Sequence, residues 1–162
     1  TDMRLRGGPA TTGGLPPSLG VTYLHYPANR ALFEFGHGLS FSTLVFSWEE
    51  EEQSSGSVAV GKHAVSVHNK QGPPGSTVVL GFVSTVASTS GFPQRRLFDF
   101  TRTTTIESGH RQTVILNAPR EAFAVLVPSD MEGTSLPVLA EREYELLTGD
   151  PQSFATKKVY VR

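Results

Sequence analysis

The sequence predicts an all-β domain, a sandwich of about seven short strands preceded by an irregular N-terminal extension. Two observations carry this prediction. From residue 41 onward, short runs that are apolar or alternate apolar with polar residues recur at regular spacing, separated by stretches rich in Gly, Pro, Ser or Asn. No stretch shows the apolar period of an amphipathic helix. Short strands with turn residues between them are typical of a β-sandwich.

The first predicted strand covers residues 41–48. Leu44, Phe46 and Trp48 alternate along it and form its apolar face. Glu49–Glu52 follows as a solvated loop, because four adjacent carboxylates repel one another and resist burial.

The next apolar positions change parity along the chain. Val58 and Val60 are at even-numbered positions, whereas Val65 and Val67 are at odd-numbered positions. In one regular strand the two pairs would face opposite sides of the sheet. Gly61 lies between the two pairs, so we expect a β-bulge or kink there that resets the register.

The middle of the chain contains a predicted central strand and a predicted hairpin. Residues 77–84 form a mostly apolar run that follows a Gly- and Pro-rich turn, and we expect this strand to be buried on both faces. Gly109 is expected to form the turn of a hairpin, with Val114 and Leu116 facing inward.

Three more alternating runs predict strands toward the C-terminus. Glu143, Glu145, Lys158 and Tyr160 occupy the outward parity of two of them. The residues expected to face inward are Phe123, Val125 and Val127, then Tyr144 and Leu146, and finally Val159 and Val161.

Composition excludes several classes of function. The 162 residues suffice for one domain with a real core, and the net charge of −1, without a dense Lys/Arg cluster, argues against a nucleic-acid partner. The absence of cysteine excludes disulfides, cysteine-ligated zinc and thiol catalysis. No apolar run approaches the length of a membrane span.

Residues 33–43, which we call the glycine–histidine segment, end the irregular extension. Gly36 and Gly38 flank His37, and glycine permits a tight turn, a positive φ or close approach to another surface. We expect the histidine ring to hydrogen-bond to the backbone of this turn. We therefore divide the chain into an extension, residues 1–40, and a sandwich, residues 41–162.

The glycine–histidine segment resembles a known sequence block. Residues 35–43 are similar to the "FGxGLSYTxF" block of glycoside hydrolase family 3, the β-glucosidase and β-xylosidase family. Residues 65–83 independently resemble the family's "VSVxVxNxGxxxGxxVVxLYV" pattern. Weaker matches follow at 96–101, where Asp99 takes the place of a glycine, and at 106–116.

This resemblance implies the C-terminal fibronectin type III-like domain of a family 3 protein, an immunoglobulin-like sandwich. It implies a non-catalytic accessory role in which residues 1–40 pack on the catalytic domains of a parent hydrolase of O-glycosyl bonds. It also implies a secreted or secretory-pathway location. The residues expected to form the domain-docking anchor are Phe35, Gly36, His37, Gly38, Leu39 and Phe41.

No residue pattern supports chemistry by this chain. A glycosidase needs two carboxyl groups held across the scissile bond, and no pair is identifiable, because Asp99, Asp130 and Asp150 lie in contexts where capping or turn roles are usual. Ser40 lacks the second glycine of a nucleophile elbow. The five histidines show no metal-ligand spacing, so we predict no catalytic residue, no cofactor and no metal.

An alternative is a fibronectin-like module that binds protein or carbohydrate, or mediates adhesion, without hydrolase activity. Exposed aromatic rings could stack on sugars, and the candidates for such a platform are Tyr23, Tyr26, Phe92, Phe98 and Tyr160. The alternative predicts a polar, self-sufficient surface at residues 15–40, whereas the accessory domain predicts an apolar surface there that needs a partner.

Overall fold

The computed structural model describes residues 6–8, 18–20, 22–24, 31–49, 59–85, 93–128, 135–139 and 142–161. Within these ranges the chain forms eleven strands and one 3₁₀ turn, Arg120–Phe123. The strands are β1 (Arg6–Gly8), β2 (Ser18–Gly20), β3 (Thr43–Trp48), β4 (Gly61–Gln71), β5 (Val78–Thr85), β6 (Arg96–Arg102), β7 (Arg111–Ala118), β8 (Ala124–Pro128), β9 (Ser135–Leu139), β10 (Arg142–Thr148) and β11 (Ala155–Val161).

Seven of these strands build two antiparallel sheets. One sheet has four strands in the order β11-β10-β5-β6, and the other has three in the order β3-β4-β7. The pairs β1–β2 and β8–β9 form separate two-stranded ribbons. The predicted all-β sandwich of about seven strands is therefore confirmed. No helix in the described ranges is long and apolar enough to cross a membrane.

Apolar side chains from both sheets meet in the interior. Each of these side chains contributes about 1.5–3 kcal/mol when it leaves water. The inward faces predicted around Leu116, Tyr144 and Val159 are confirmed, and Trp48 and Phe98 pack against both groups of interior residues. The larger buried members are Val83, Phe123, Tyr144, Leu146, Val159 and Val161 in one group, and Val65, Val67, Val79, Ile106, Val114 and Leu116 in the other.

The bulge expected at Gly61 was wrong. Gly61 is the first residue of β4 and has a φ of 138°. The pairing of β4 with β7 then runs in unbroken register from Gly61 opposite Ala118 to His68 opposite Arg111. The glycine therefore starts the strand and does not interrupt it.

A register shift lies instead between β5 and β6. Gly81 pairs with Asp99 and Phe82 with Leu97, so Phe98 is an additional residue on β6. A Cβ at Gly81 would lie 2.6 Å from the Phe98 ring, which means that the ring occupies the space a side chain would need. The bulge thus directs Phe98 into the interior.

The turn at Gly109 is confirmed, but the hairpin around it was wrong. Gly109 adopts a φ of 80°. The strand after it, β7, pairs with β4, while Ile106 before it forms a bridge to Gly75. The turn therefore carries the chain toward the three-stranded sheet, where Val114 and Leu116 face the interior as predicted.

Hydrogen bonds close the two open sides of the sandwich. On one side, the Trp48 Nε1–H of β3 donates to the Ala155 carbonyl of β11 at 3.0 Å. On the other, Asp99 of β6 accepts from the Asn117 N–H of β7 at 2.7 Å. Asp99 also accepts from the adjacent Phe100 N–H, so this carboxylate satisfies two backbone donors.

Several sequence expectations lie outside the described residues. These include the acidic loop beyond Glu49, the face formed by Val58, and most of residues 1–30. Within the predicted irregular extension, β1 and β2 pair antiparallel, with Arg6 opposite Gly20. Phe123, which we expected on a strand, is buried at the end of the 3₁₀ turn. The division of the chain at residue 40 stays a prediction.

Candidate functional site

The first half of the glycine–histidine segment packs on the outer face of the four-stranded sheet. Phe82 of β5 is fully buried but belongs to neither interior cluster. Phe35 meets its ring edge-on at 6.0 Å, and Tyr23 stacks on Phe35 at 4.3 Å. Phe154 covers Phe82 from the start of β11, at 5.8 Å. The extension thus buries an outward-facing ring of the sheet.

An ion pair reinforces this packing. Arg95 contacts a Glu34 carboxylate oxygen at 2.8 Å, and the two side chains are only 11% and 23% exposed. The same guanidinium lies 5.7 Å from the Phe82 ring centre and 5.4 Å from that of Phe154. Sequence analysis singled out neither Glu34 nor Arg95, because a single acid and a distant base carry no local signal.

Gly36 is the glycine that this packing requires. Its φ is 95°, in the region that favours glycine. A Cβ there would lie 3.0 Å from Leu80 Cδ1 and 3.7 Å from Pro151 Cγ. Both the backbone conformation and the available space therefore select glycine.

His37 has a different setting from the one expected. Its backbone N–H donates to the Glu34 carbonyl at 3.0 Å, which closes the turn. Its ring stacks on Phe33 at 5.3 Å, and Nδ1 lies 3.7 Å from Asp150 Oδ2. No hydrogen bond joins the ring to the backbone of the turn among the described contacts. The ring therefore links an exposed phenylalanine to the β10–β11 turn.

The large apolar side chains in the second half of the segment are exposed. Leu39 is 96% and Phe41 97% accessible, and Leu32 and Phe33 before the turn are also largely exposed. A Cβ at Gly38 would meet no atom within 4 Å. Gly38, which we expected to permit close approach, therefore makes no such approach to the residues that the structure describes.

Although the Phe41 side chain is exposed, its backbone is held in place. A Cβ at Gly72, whose φ is 112°, would lie 2.6 Å from the Phe41 carbonyl oxygen. The buried Ser42 Oγ donates to the Pro73 carbonyl at 2.6 Å, and its N–H donates to Ser40 Oγ at 3.1 Å. The Phe41 ring is thus presented to solvent on a fixed backbone.

Asn69 secures the turn that carries Gly72. Its side chain is fully buried, and its Nδ2 donates to the carbonyls of Pro73 and Ile106, both at 3.0 Å. Its backbone carbonyl accepts from the Gly109 N–H at 2.7 Å. This asparagine belongs to the second family-like pattern, and its contacts explain why an amide is needed there.

A groove of about 580 Å³ lies beside the second half of the segment. Asp150 is the only ionisable residue among the described residues that line it. The other side chains are apolar, hydroxyl or amide. The lining consists of Gly36, Gly38–Ser40, Ser42–Leu44, Phe46, Thr77, Val78, Leu80, Gly149, Asp150, Gln152 and Ser153.

Four carboxylates that the sequence analysis named have structural partners. Asp99 accepts from two backbone N–H groups, and Asp150 Oδ1 accepts from the Gln152 N–H at 2.8 Å, the turn role expected for it. Glu49 accepts from the Thr113 hydroxyl, and Glu143 lies 3.3 Å from Lys158 Nζ on the surface. Asp130 lies outside the described residues.

Ser40 and the described histidines are not arranged for chemistry. Ser40 is exposed, accepts a backbone hydrogen bond and precedes a strand, whereas a nucleophile elbow precedes a helix. The buried His63 has its Nε2 2.9 Å from the Ala59 carbonyl. Within the described ranges, no three His, Asp or Glu side chains come together to hold a metal.

The three described members of the candidate aromatic platform are not brought together. Tyr23 lies against Phe35 outside the four-stranded sheet, whereas Phe98 is in the interior. Tyr160 faces outward on β11, as its parity predicted. Tyr26 and Phe92 lie outside the described residues.

The chain is similar to glycosidases of known identity. It is 28% identical to the exo-1,4-β-xylosidase xlnD of Emericella nidulans over 173 aligned residues, which cover 96% of this chain and 20% of that protein. No family model matches the chain. The chain therefore spans about one fifth of the curated relative.

Solved structures of glycosidases contain the same fold. A family 3 exo-β-xylosidase (XlnD), in complex with a xylobiose aziridine probe, matches with a TM-score of 0.70 and 23% identity over 99% of this chain and 22% of its own. A β-glucosidase from Kluyveromyces marxianus, in complex with glucose, matches with a TM-score of 0.60 and 25% identity over 80% of this chain and 15% of its own. The resemblance predicted from the motifs is confirmed: nearly the whole chain is similar to about one fifth of a family 3 exo-β-xylosidase, as expected for a C-terminal domain of such a protein.

Proposed function

We propose that this chain is a non-catalytic accessory domain that docks against the catalytic domains of a family 3 β-glucosidase or β-xylosidase and stabilises them. The docking surface consists of Leu32, Phe33, Leu39 and Phe41. The observation that carries the proposal is the near-complete exposure of Leu39 and Phe41 beside a segment that is otherwise fixed. Large apolar side chains gathered in one exposed stretch mark interaction surfaces.

The fixed backbone favours such docking. Ser42 and Gly72 hold the Phe41 main chain before any partner arrives. The entropy cost of ordering the segment on binding is therefore reduced, and more of the contact energy appears as affinity. A rigid, exposed aromatic ring is also a typical anchor of a protein interface.

The carboxylates described above support the non-catalytic part of the proposal. Asp99 and Asp150 accept hydrogen bonds from backbone N–H groups, the capping and turn roles expected for them. A glycosidase needs two carboxyl groups across the scissile bond. We infer that these are supplied by the part of the longer protein that this chain does not span.

The alternative of a self-sufficient binding module predicts a polar surface at residues 15–40. The exposure of Leu32, Phe33 and Leu39 favours the docking domain over that alternative. The secreted or secretory-pathway location stays a prediction.

An activity comparison tests the non-catalytic role. The purified chain and the longer protein that contains it are assayed on aryl β-glucosides and aryl β-xylosides. We expect turnover only from the longer protein. Turnover by the purified chain, or a gene that encodes no hydrolase domain upstream, would contradict the proposal.

A further inference from the structure

The groove beside the docking surface is open, unlike the neighbouring face of the same sheet. Over Phe82, the chain covers its own sheet with Phe35 and Phe154. Farther along β5, Val78 is exposed and Leu80 half-buried, and both line the groove. None of the described residues covers this part of the sheet's outer face in the way that Phe35 and Phe154 cover Phe82.

The lining gives the groove two chemically different walls. Leu39, Val78 and Leu80 are apolar. The β10–β11 turn contributes the carboxylate of Asp150 and the amide of Gln152. Asp150 Oδ1 accepts from the Gln152 N–H, and Oδ2 lies 3.7 Å from His37 Nδ1. The groove therefore presents an apolar wall and one negative charge.

These walls suit a peptide segment better than a sugar. Sugar sites use the flat face of an aromatic ring, and Phe46 is the only aromatic residue in the described part of the lining. A Cβ at Gly149 would lie 3.1–3.2 Å from three Phe46 carbons, so Gly149 already packs against this ring. Leu39 belongs both to the groove and to the docking surface, so an occupant of the groove would continue the docked interface.

We propose that the groove receives an extended segment of the catalytic part of the longer protein. The segment places an apolar side chain between Leu39 and Val78 and sets a lysine or arginine against Asp150 Oδ2. This inference rests on the proposed function and deepens it, because it specifies the chemistry of the partner. A cation matches the Asp150 carboxylate, the one acidic group among the described lining residues, and the apolar side chain removes Val78 from water.

Photo-crosslinking in the longer protein tests this inference. The photoreactive residue p-benzoylphenylalanine replaces Val78 in the groove, Phe41 on the docking surface or, as the control, the exposed Ile115 of β7. We expect position 78 to cross-link to a peptide outside this chain that contains a lysine or arginine. We expect a cross-link from position 41 and none from position 115.

The outcomes separate the two proposals. Cross-links from position 41 without any from position 78 would overturn the groove inference and leave the docking role standing. Absence of cross-links from both positions would overturn both. A cross-link from position 78 to a segment without a basic residue would overturn the proposed pairing with Asp150.

A charge substitution gives a second measurement that does not depend on a bulky probe. Asp150→Asn keeps an oxygen that can accept from the Gln152 N–H but removes the charge. We expect it to lower the unfolding midpoint of the longer protein by about 2 °C and to change that of the isolated chain by less than about 1 °C. The matched control Glu107→Gln, at an exposed carboxylate outside the groove lining, should change neither. Equal effects of Asp150→Asn in both proteins would contradict the inference.

Sugar binding is the competing outcome. The isolated chain is titrated with xylobiose and cellobiose while the amide NMR signals of Thr77, Val78 and Gln152 are followed. We expect no saturable shifts. Saturable shifts confined to these signals would overturn the inference in favour of a glycan site.

Discussion

The two halves of the glycine–histidine segment have opposite relations to the rest of the chain. Residues 34–37 are held by Phe82, Arg95 and Asp150, whereas Leu39 and Phe41 contact solvent almost completely. The halves are adjacent in sequence and belong to one motif. The fold of this chain therefore explains residues 34–37, whereas the exposure of Leu39 and Phe41 is what the proposed docking would explain.

The two glycines make the same distinction. Gly36 has a positive φ and lies against Leu80, so the chain itself requires it. Gly38 has open space around it. The proposed docking would supply a requirement for glycine at position 38, and the two positions form a matched pair for experiments.

The largest expected effect comes from removing the ring that anchors the first half. Phe82→Ala should destabilise the isolated chain by about 3–5 kcal/mol, because it leaves a cavity under Phe35, Tyr23 and Phe154. Urea unfolding measures this loss. Phe100→Ala, on the same face of the neighbouring strand but mostly exposed, is the control and should cost less than about 1 kcal/mol. Similar losses for both variants would mean that the extension does not pack on Phe82.

Alanine substitution at Gly36 and at Gly38 should give a smaller difference in the free energy of unfolding. Gly36→Ala should cost about 1–2 kcal/mol, because alanine is strained at a φ of 95° and its Cβ crowds Leu80. Gly38→Ala should change the free energy of unfolding by no more than about 0.5 kcal/mol. Both are measured by urea unfolding of the isolated chain. A loss at Gly38 equal to that at Gly36 would remove the distinction between the halves.

The Glu34–Arg95 ion pair of the first half should contribute still less to the free energy of unfolding. Glu34→Gln should cost about 1 kcal/mol, because Arg95 keeps its contacts with the Phe82 and Phe154 rings when the charge is lost. The loss should shrink in high salt, since partial exposure allows screening. Thermal unfolding at low and high salt measures it, with Glu107→Gln as the exposed control. A salt-independent loss would contradict an electrostatic origin.

Sequence periodicity predicted the interior well, because one buried face imposes a strict alternation along each strand. Leu116, Tyr144 and Val159 were placed correctly for this reason. It failed where an additional residue enters the ladder. Phe98 is directed inward by a bulge opposite Gly81. The bulge is visible only once β5 and β6 are paired, and a sequence pattern does not show which strands pair.

The candidate site was predicted in part. The glycine–histidine segment marked where the extension meets the sandwich, but not which side chains would be covered. Phe82, Arg95 and Gly72 are distant in sequence from the segment that they hold. Their roles come from tertiary contacts, which leave no local trace. The exposure of Phe41 was equally hidden, because an apolar residue at the start of a strand is usually read as interior.

The most direct test of the docking role is the double variant Leu39→Ser/Phe41→Ser, compared in the isolated chain and in the longer protein. Both side chains are already in water in the isolated chain, so its unfolding midpoint should move by less than about 1–2 °C. In the longer protein, we expect an early separate unfolding transition or a midpoint lowered by several degrees. An unchanged midpoint and unfolding profile in the longer protein would contradict docking through these residues.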